Sequence, residues 1–97
     1  MTETGYAADK QALITRLHRI EGQVRGIERM IEEDRYCIDV LTQIAAVKTA
    51  LEGVATKVLE DHVTHCVAEA LASGDAAVAG EKSEELLAAV QRFSRTR

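Results

Sequence analysis

Three residues of this 97-residue chain have the types and spacing to hold a soft metal ion or to carry thiol chemistry: Cys37, His62 and Cys66. The two cysteines are the only ones in the chain. His62 and Cys66 lie four residues apart, so on a helix they project within about 40° of one another and can grip one ion. Two thiolates and one imidazole make a soft, three-ligand set. Structural zinc closes a four-ligand tetrahedron, and monovalent copper matches such a set better. The same three residues are accounted for equally well as two small buried hydrophobes and a satisfied histidine near a helix end.

The element that must position these residues is a helix predicted from about Tyr36 to Ala72, uninterrupted by proline. Cys37 precedes His62 by 25 residues, roughly 37 Å along a continuous helix rising about 1.5 Å per residue. No coordination sphere spans that distance. If the three act together, two such helices must run antiparallel, with Cys37 of one chain beside His62 and Cys66 of another, and a symmetric dimer then carries two equivalent sites. The helix shows apolar residues at Val40, Ile44, Val47, Leu51, Val54 and Val58, widened by Leu41, Ala45, Ala55 and Leu59. A stripe this broad needs two neighbours, one from its own chain and one from elsewhere. Gly53 is its weak point, at about 1 kcal/mol relative to alanine. His65 projects about 100° away from Cys66 and is expected at the surface. Tyr36 is either a hydrogen-bonding support for the site or an end-of-helix packing residue.

Two further helices and a tail complete an all-α chain of three helices. Residues 1–8 are small and polar and read as a disordered N-terminus, leaving 9–97 as a single domain. From about Asp9, the positions Leu13, Leu17, Ile20, Val24, Ile27 and Ile31 alternate spacings of four and three, the stripe of a helix packing in coiled-coil fashion. This helix should end at Glu32-Glu33-Asp34, where acids oppose the helix dipole, with Asp34 free to cap the next helix. Ser73-Gly74-Asp75 is a stop signal, residues 75–80 read as a small-residue loop, and a third helix is predicted from about Lys82 to Phe93.

The net charge of −4 excludes a polybasic protein, so any contact with nucleic acid must use a local patch. Residues 10–29 supply one: Lys10, Arg16, Arg19, Arg25 and Arg29 stand against Glu21 and Glu28. Arg16, Arg19 and Gln23 share an acid-free edge with Thr15, Gly22 and Gly26, an edge that could follow phosphates. A solvated face laced by pairs such as Arg25 with Glu21 or Glu28 is the simpler account of the residues alone. Arg92, Arg95 and Arg97 read as cations complementing a helix end. Two cysteines without a secretory signal or a long apolar run point to a cytoplasmic chain with reduced thiols and no membrane span. No nucleophile and base at supporting spacing, and no phosphate-cradling glycine loop, suggests an enzyme.

The runs Arg-Leu-His-Arg-Ile-Glu-Gly-Gln-Val-Arg-Gly-Ile (Arg16 to Ile27), Tyr-Cys-Ile-Asp-Val-Leu-Thr-Gln-Ile (from Tyr36) and His-Val-Thr-His-Cys (His62 to Cys66) together resemble the CsoR family, the copper-sensitive operon repressors. The resemblance covers about residues 10 to 93. It implies an antiparallel four-helix-bundle dimer with a third helix per chain, assembling into a homotetramer. It implies a repressor that binds operator DNA when metal-free and leaves on binding Cu(I). Matched residue by residue, the family's copper ligands fall on Cys37 of one protomer and on His62 and Cys66 of its partner. The tyrosine and glutamate behind them fall on Tyr36 and on Glu85, with Glu81 and Glu84 as alternatives. The DNA-contacting arginines fall on Arg16, Arg19 and Arg25. A basic residue that some members carry in the middle of the second helix falls at Gly53. Relatives of the same fold respond to nickel or cobalt, formaldehyde or persulfide, and the intervening His62 with both cysteines favours copper. The alternatives to a copper-responsive repressor are a thiol- or other-metal-responsive repressor and a copper-binding helical module with no DNA role.

Overall fold

A computed structural model of the chain describes residues 5–95, with side chains described as far as Phe93. The described residues fold as helices and tight connections, with no strand among them. A short 3-10 turn (Ala7–Asp9) leads into α1 (Lys10–Glu32), followed by α2 (Cys37–Asp61), a π turn (His62–Val67), α3 (Ala68–Ala72) and α4 (Ala76–Arg95). The helix predicted from Tyr36 to Ala72 begins one residue later, at Cys37, and runs without a break to Ala72 but changes register at His62. Gly53 does not break it. The chain divides into two compact units, one of residues 8–57 and one of the described residues on either side.

In the first unit, α1 and α2 pack antiparallel: Lys57 near the end of the unit pairs with Asp9 at the start of α1, Nζ to Oδ2 3.3 Å. Their shared core is Leu13 and Ile20 against Val47 and Val54, with Ile27 and Ala50 packed alongside. These are only half of the predicted stripes. Leu17, Val24 and Ile31 on α1, and Leu41, Ile44 and Leu51 on α2, stay exposed, Ile31 by 61% and Leu41 by 58%. On α1 the inward and outward sets each repeat every seven residues, and on α2 Val47 with Val54 inward and Ile44 with Leu51 outward do the same, the spacing of coiled-coil packing.

The connection between α1 and α2 is closed by backbone geometry rather than by a capping carboxylate. Asp34 has φ 54°, in the left-handed region. Its amide donates to the Ile31 carbonyl at 3.1 Å, and the Arg35 amide donates to the Met30 carbonyl at 2.9 Å. This pair of bonds is a Schellman motif, in which a left-handed residue satisfies the last carbonyls of a helix. Asp34 therefore ends α1 and does not serve as the side-chain cap of α2. The α2 helix opens instead on the Tyr36 carbonyl, which accepts from the Val40 amide at 3.2 Å.

In the second unit, α4 packs against the π turn and α3. Gly74, at φ 77°, closes the preceding rod. The expected loop over residues 75–80 is not a loop. Asp75 Oδ1 accepts from the Ala77 amide at 3.0 Å and the Val78 amide at 3.3 Å, which caps a helix beginning at Ala76, six residues ahead of the predicted start. Ala76, Ala77 and Ala79 are strong helix formers, and one cap is enough to carry the helix through Gly80. The predicted disordered tail falls partly outside the described residues, which begin at Gly5; Arg97 also lies outside them.

Candidate metal centre

Cys37 is the first residue of α2, exposed and free. Tyr36 directly before it is 67% exposed. The α2 helix then runs 25 residues to Asp61, a length of about 37 Å. His62 opens the π turn that follows, and Cys66, also free and half-buried, lies near its end. A π turn bonds each residue to the one five along, so it makes slightly more than four residues per turn, and residues four apart come nearly into line. His62 and Cys66 are four apart on this turn, so they share one face of it, as the α register expected from sequence would also have them do. His65 is exposed on the same turn.

The acidic groups around His62 come from two elements. On α4, Glu85 places Oε1 3.8 Å from His62 Nε2, beyond hydrogen-bond length but close enough that a small rotation makes a bond. Lys82, one turn earlier on α4, approaches the same Oε1 at 3.6 Å. All three glutamates that sequence left open, Glu81, Glu84 and Glu85, are exposed, and Glu85 is the one that pairs with His62 among the described residues. A group facing Nε2 leaves Nδ1 of His62 as the nitrogen available to a metal, since the partner of one ring nitrogen sets the role of the other. Asp61, immediately before His62, is 5% exposed. Sequence reasoning missed it, because nothing in a run of alternating polar residues marks which acid is turned inward.

The described N-terminal residues also reach this site. A β-carbon built on Gly5 would lie 2.6 Å from the Asp61 carbonyl oxygen and 3.2 Å from Cys66 Sγ. Only glycine fits so close to the backbone of the π turn. No signal in the sequence tied Gly5 to Cys66, since the contact joins residues far apart in the chain.

Among the described residues of one chain, no three His, Cys, Asp or Glu side chains converge as a metal-binding group. The turn supplies a soft pair, His62 and Cys66, backed by Glu85. Such a pair, with a further thiolate, suits Cu(I), whose preference is for few and soft ligands. On α1, Arg16, Arg19 and Arg25 are all exposed on the outer surface of the first unit. Gly53 on α2 lies directly beneath the Arg16 guanidinium: a β-carbon there would stand 2.8 Å from Nη2.

Among the described residues the chain is all-helical, with a thiol at the first residue of α2, an imidazole and a thiol on the π turn, and exposed arginines on α1. Residues 9–92 match the model of the metal-sensitive transcriptional repressors. The chain is 53% identical over 92 residues to the copper-sensing transcriptional repressor RicR of Mycobacterium tuberculosis, covering 95% of each chain. It is 51% identical over 89 residues to the copper-sensing transcriptional repressor CsoR of Bacillus subtilis, covering 91% of this chain and 84% of that one. Its fold is similar to the crystal structure of the copper-sensing repressor CsoR with Cu(I) from Geobacillus thermodenitrificans, at a TM-score of 0.81 and 42% identity over 97% of this chain and 93% of that one. The chain belongs to the family of metal-sensitive transcriptional repressors.

Proposed function

We propose that this protein is a Cu(I)-responsive transcriptional repressor of the cytoplasm, with no catalytic role, that binds operator DNA when metal-free and releases it when Cu(I) is bound. The observation that carries the reading is the placement of Cys37 at the first residue of a 25-residue helix and of His62 and Cys66 just beyond its last. A rod of about 37 Å keeps these ends apart in one chain, so Cys37 of one protomer joins His62 and Cys66 of an antiparallel partner. The exposed stripes of α1 and α2, seven residues apart and apolar, supply the surface on which that partner packs as a four-helix bundle. Pairs of such dimers form the homotetramer. The copper relatives named above support the choice of ion.

Cu(I), when bound, would supply soft coordination and would be held by the His62 imidazole and Cys66 thiolate of one chain and the Cys37 thiolate of the other. The residues do the rest. His62 Nδ1 turns to the site while Nε2 takes up Glu85, already 3.8 Å away, and Tyr36 follows Cys37 into the same network. This pulls the π turn and α4 of one protomer toward the start of α2 in the other. Arg16, Arg19 and Arg25 of each α1 then no longer match the spacing of phosphates that the metal-free dimer fits.

The test is a titration of a duplex from the protein's own promoter region, with and without Cu(I), under strict reduction. Copper should lower operator affinity by a factor of about 5 to 150, the usual range of an allosteric coupling. Equal affinities would sink the regulatory reading. Absence of any operator binding by the metal-free protein would leave a copper-binding helical module in its place.

A further inference from the structure

Gly53 sits in the interior of α2, where glycine costs about 1 kcal/mol relative to alanine and where no turn, cap or positive φ asks for it. The other helical glycines show what an unconstrained one looks like. A β-carbon on Gly26 or Gly80 would meet nothing within 4 Å, and one on Gly22 would meet only the tip of Arg25 at 3.9 Å. At Gly53 the same β-carbon would fall 2.8 Å from Nη2 of Arg16. The guanidinium occupies the space a side chain would take.

Arg16 has no other means of being held on its own helix. The residues three and four positions away on α1 are Ala12, Leu13, Arg19 and Ile20, none of them an acid, so the usual intrahelical ion pair is not open to it. Arg25, in contrast, has Glu21 and Glu28 at those spacings. A free arginine carries about 2 kcal/mol of rotamer entropy, but its planar head is suited to lying flat on a surface. The bare backbone at Gly53 provides that surface, on the side of the acid-free edge shared with Arg19 and Gln23.

We propose that Gly53 is a positioning residue for DNA binding: it seats the Arg16 guanidinium on α2, so that the phosphate contact made by Arg16 is partly ordered before DNA arrives. The inference rests on the reading of Arg16 as a DNA contact. It makes the glycine a way of placing a cation that already exists on α1.

The experiment compares Gly53→Ala, Arg16→Ala and the double variant, each as full-length metal-free protein, by operator titration across a salt series. The atom that must move in Gly53→Ala is the far end of a flexible side chain, so the fold is kept and thermal stability is not lowered. Operator affinity should nevertheless fall about two- to tenfold, the cost of ordering a long side chain on binding. The slope of log affinity against log salt should stay native, because the phosphate contact is still made, whereas in Arg16→Ala it should flatten; Cu(I) affinity should be unchanged in both. In the Arg16→Ala background, Gly53→Ala should have no further effect. Arg16→Lys, which keeps the charge but lacks the flat head, should resemble Gly53→Ala.

Native-like affinity in Gly53→Ala, with Arg16→Ala impaired, would overturn the positioning role alone. An equal loss from Gly53→Ala with and without Arg16 would do the same. If Arg16→Ala itself binds operator DNA as the native protein does, the DNA contact of Arg16 falls and the positioning role falls with it.

Discussion

The sharpest consequence of the α2 ruler is that two proteins, each unable to bind copper tightly, should bind it when mixed. Cys37→Ala leaves the His62 and Cys66 pair intact, and Cys66→Ala leaves Cys37 intact. The helix between them is 25 residues, about 37 Å at 1.5 Å per residue, whereas metal–thiolate bonds are of order 2.3 Å. Flexing of the rod cannot close a gap more than ten times the bond length. In a heterodimer of the two variants, Cys37 of one chain meets His62 and Cys66 of the other in one complete site, and the second site lacks both thiolates. Purified heterodimers, with identity confirmed by native mass spectrometry, should therefore bind one tight Cu(I) per dimer, half the native stoichiometry per protomer. Either variant homodimer lacks one thiolate at each of its two sites. Losing a primary ligand costs more than the 10- to 100-fold typical of an outer-shell loss, so competition against a Cu(I) chelator separates the cases cleanly. Confirmed heterodimers that compete no better than the homodimers would refute the intersubunit site.

Two further outcomes test the scaffold. Asp34 occupies left-handed backbone at φ 54°, so Asp34→Gly should be more stable than Asp34→Ala by about 1 kcal/mol, the penalty of placing a β-carbon in that region; denaturant midpoints at one fixed protomer concentration measure it, and equal midpoints would contradict the Schellman closure. Leu51 is 46% exposed within the chain, so Leu51→Glu should leave each protomer helical yet weaken self-association by roughly 3 kcal/mol or more through a carboxylate placed against apolar surface. Sedimentation of the native and variant proteins at matched concentration reads this directly, and an unchanged mass distribution would remove Leu51 from the interface.

Much of the architecture was legible because it follows from periodicity. The seven-residue repeat from Leu13 to Ile31 and the broad stripe of the second helix gave the helices and the face on which they pack within the chain. What periodicity could not decide was which half of each stripe faces its own chain. Leu13 and Leu17 are chemically alike, and only packing places Leu13 inside and Leu17 outside. The ends of helices were less legible, because single carboxylates decide them. Asp75 and Asp34 both stand at helix boundaries, yet one caps a helix with its side chain and the other ends one with its backbone. The residue type favours both roles, and the difference lies in the hydrogen bonds that neighbouring segments have left to fill. The π turn lay beyond sequence altogether, since His62 to Val67 has no composition that forbids the α register.

The division of the apolar stripes bears on why a copper site would sit at the ends of this particular helix. The outward set on α2, Ile44 and Leu51, follows Cys37 on the same helix, so the surface that would receive a partner and the first of the three proposed donors belong to one element. Under the proposed function, an antiparallel partner packing along that set brings its own His62 and Cys66 beside this Cys37 without any further recognition surface. The π turn already carries two of the three proposed donors, and dimerisation would set the third beside them. Copper has only to complete a contact at each end of a packed pair of rods. Under the same reading, Gly53 and the arginine that rests on it lie on the helix that Cys37 opens, so the donor that copper would recruit from the partner and the seat of a proposed DNA contact share one helix.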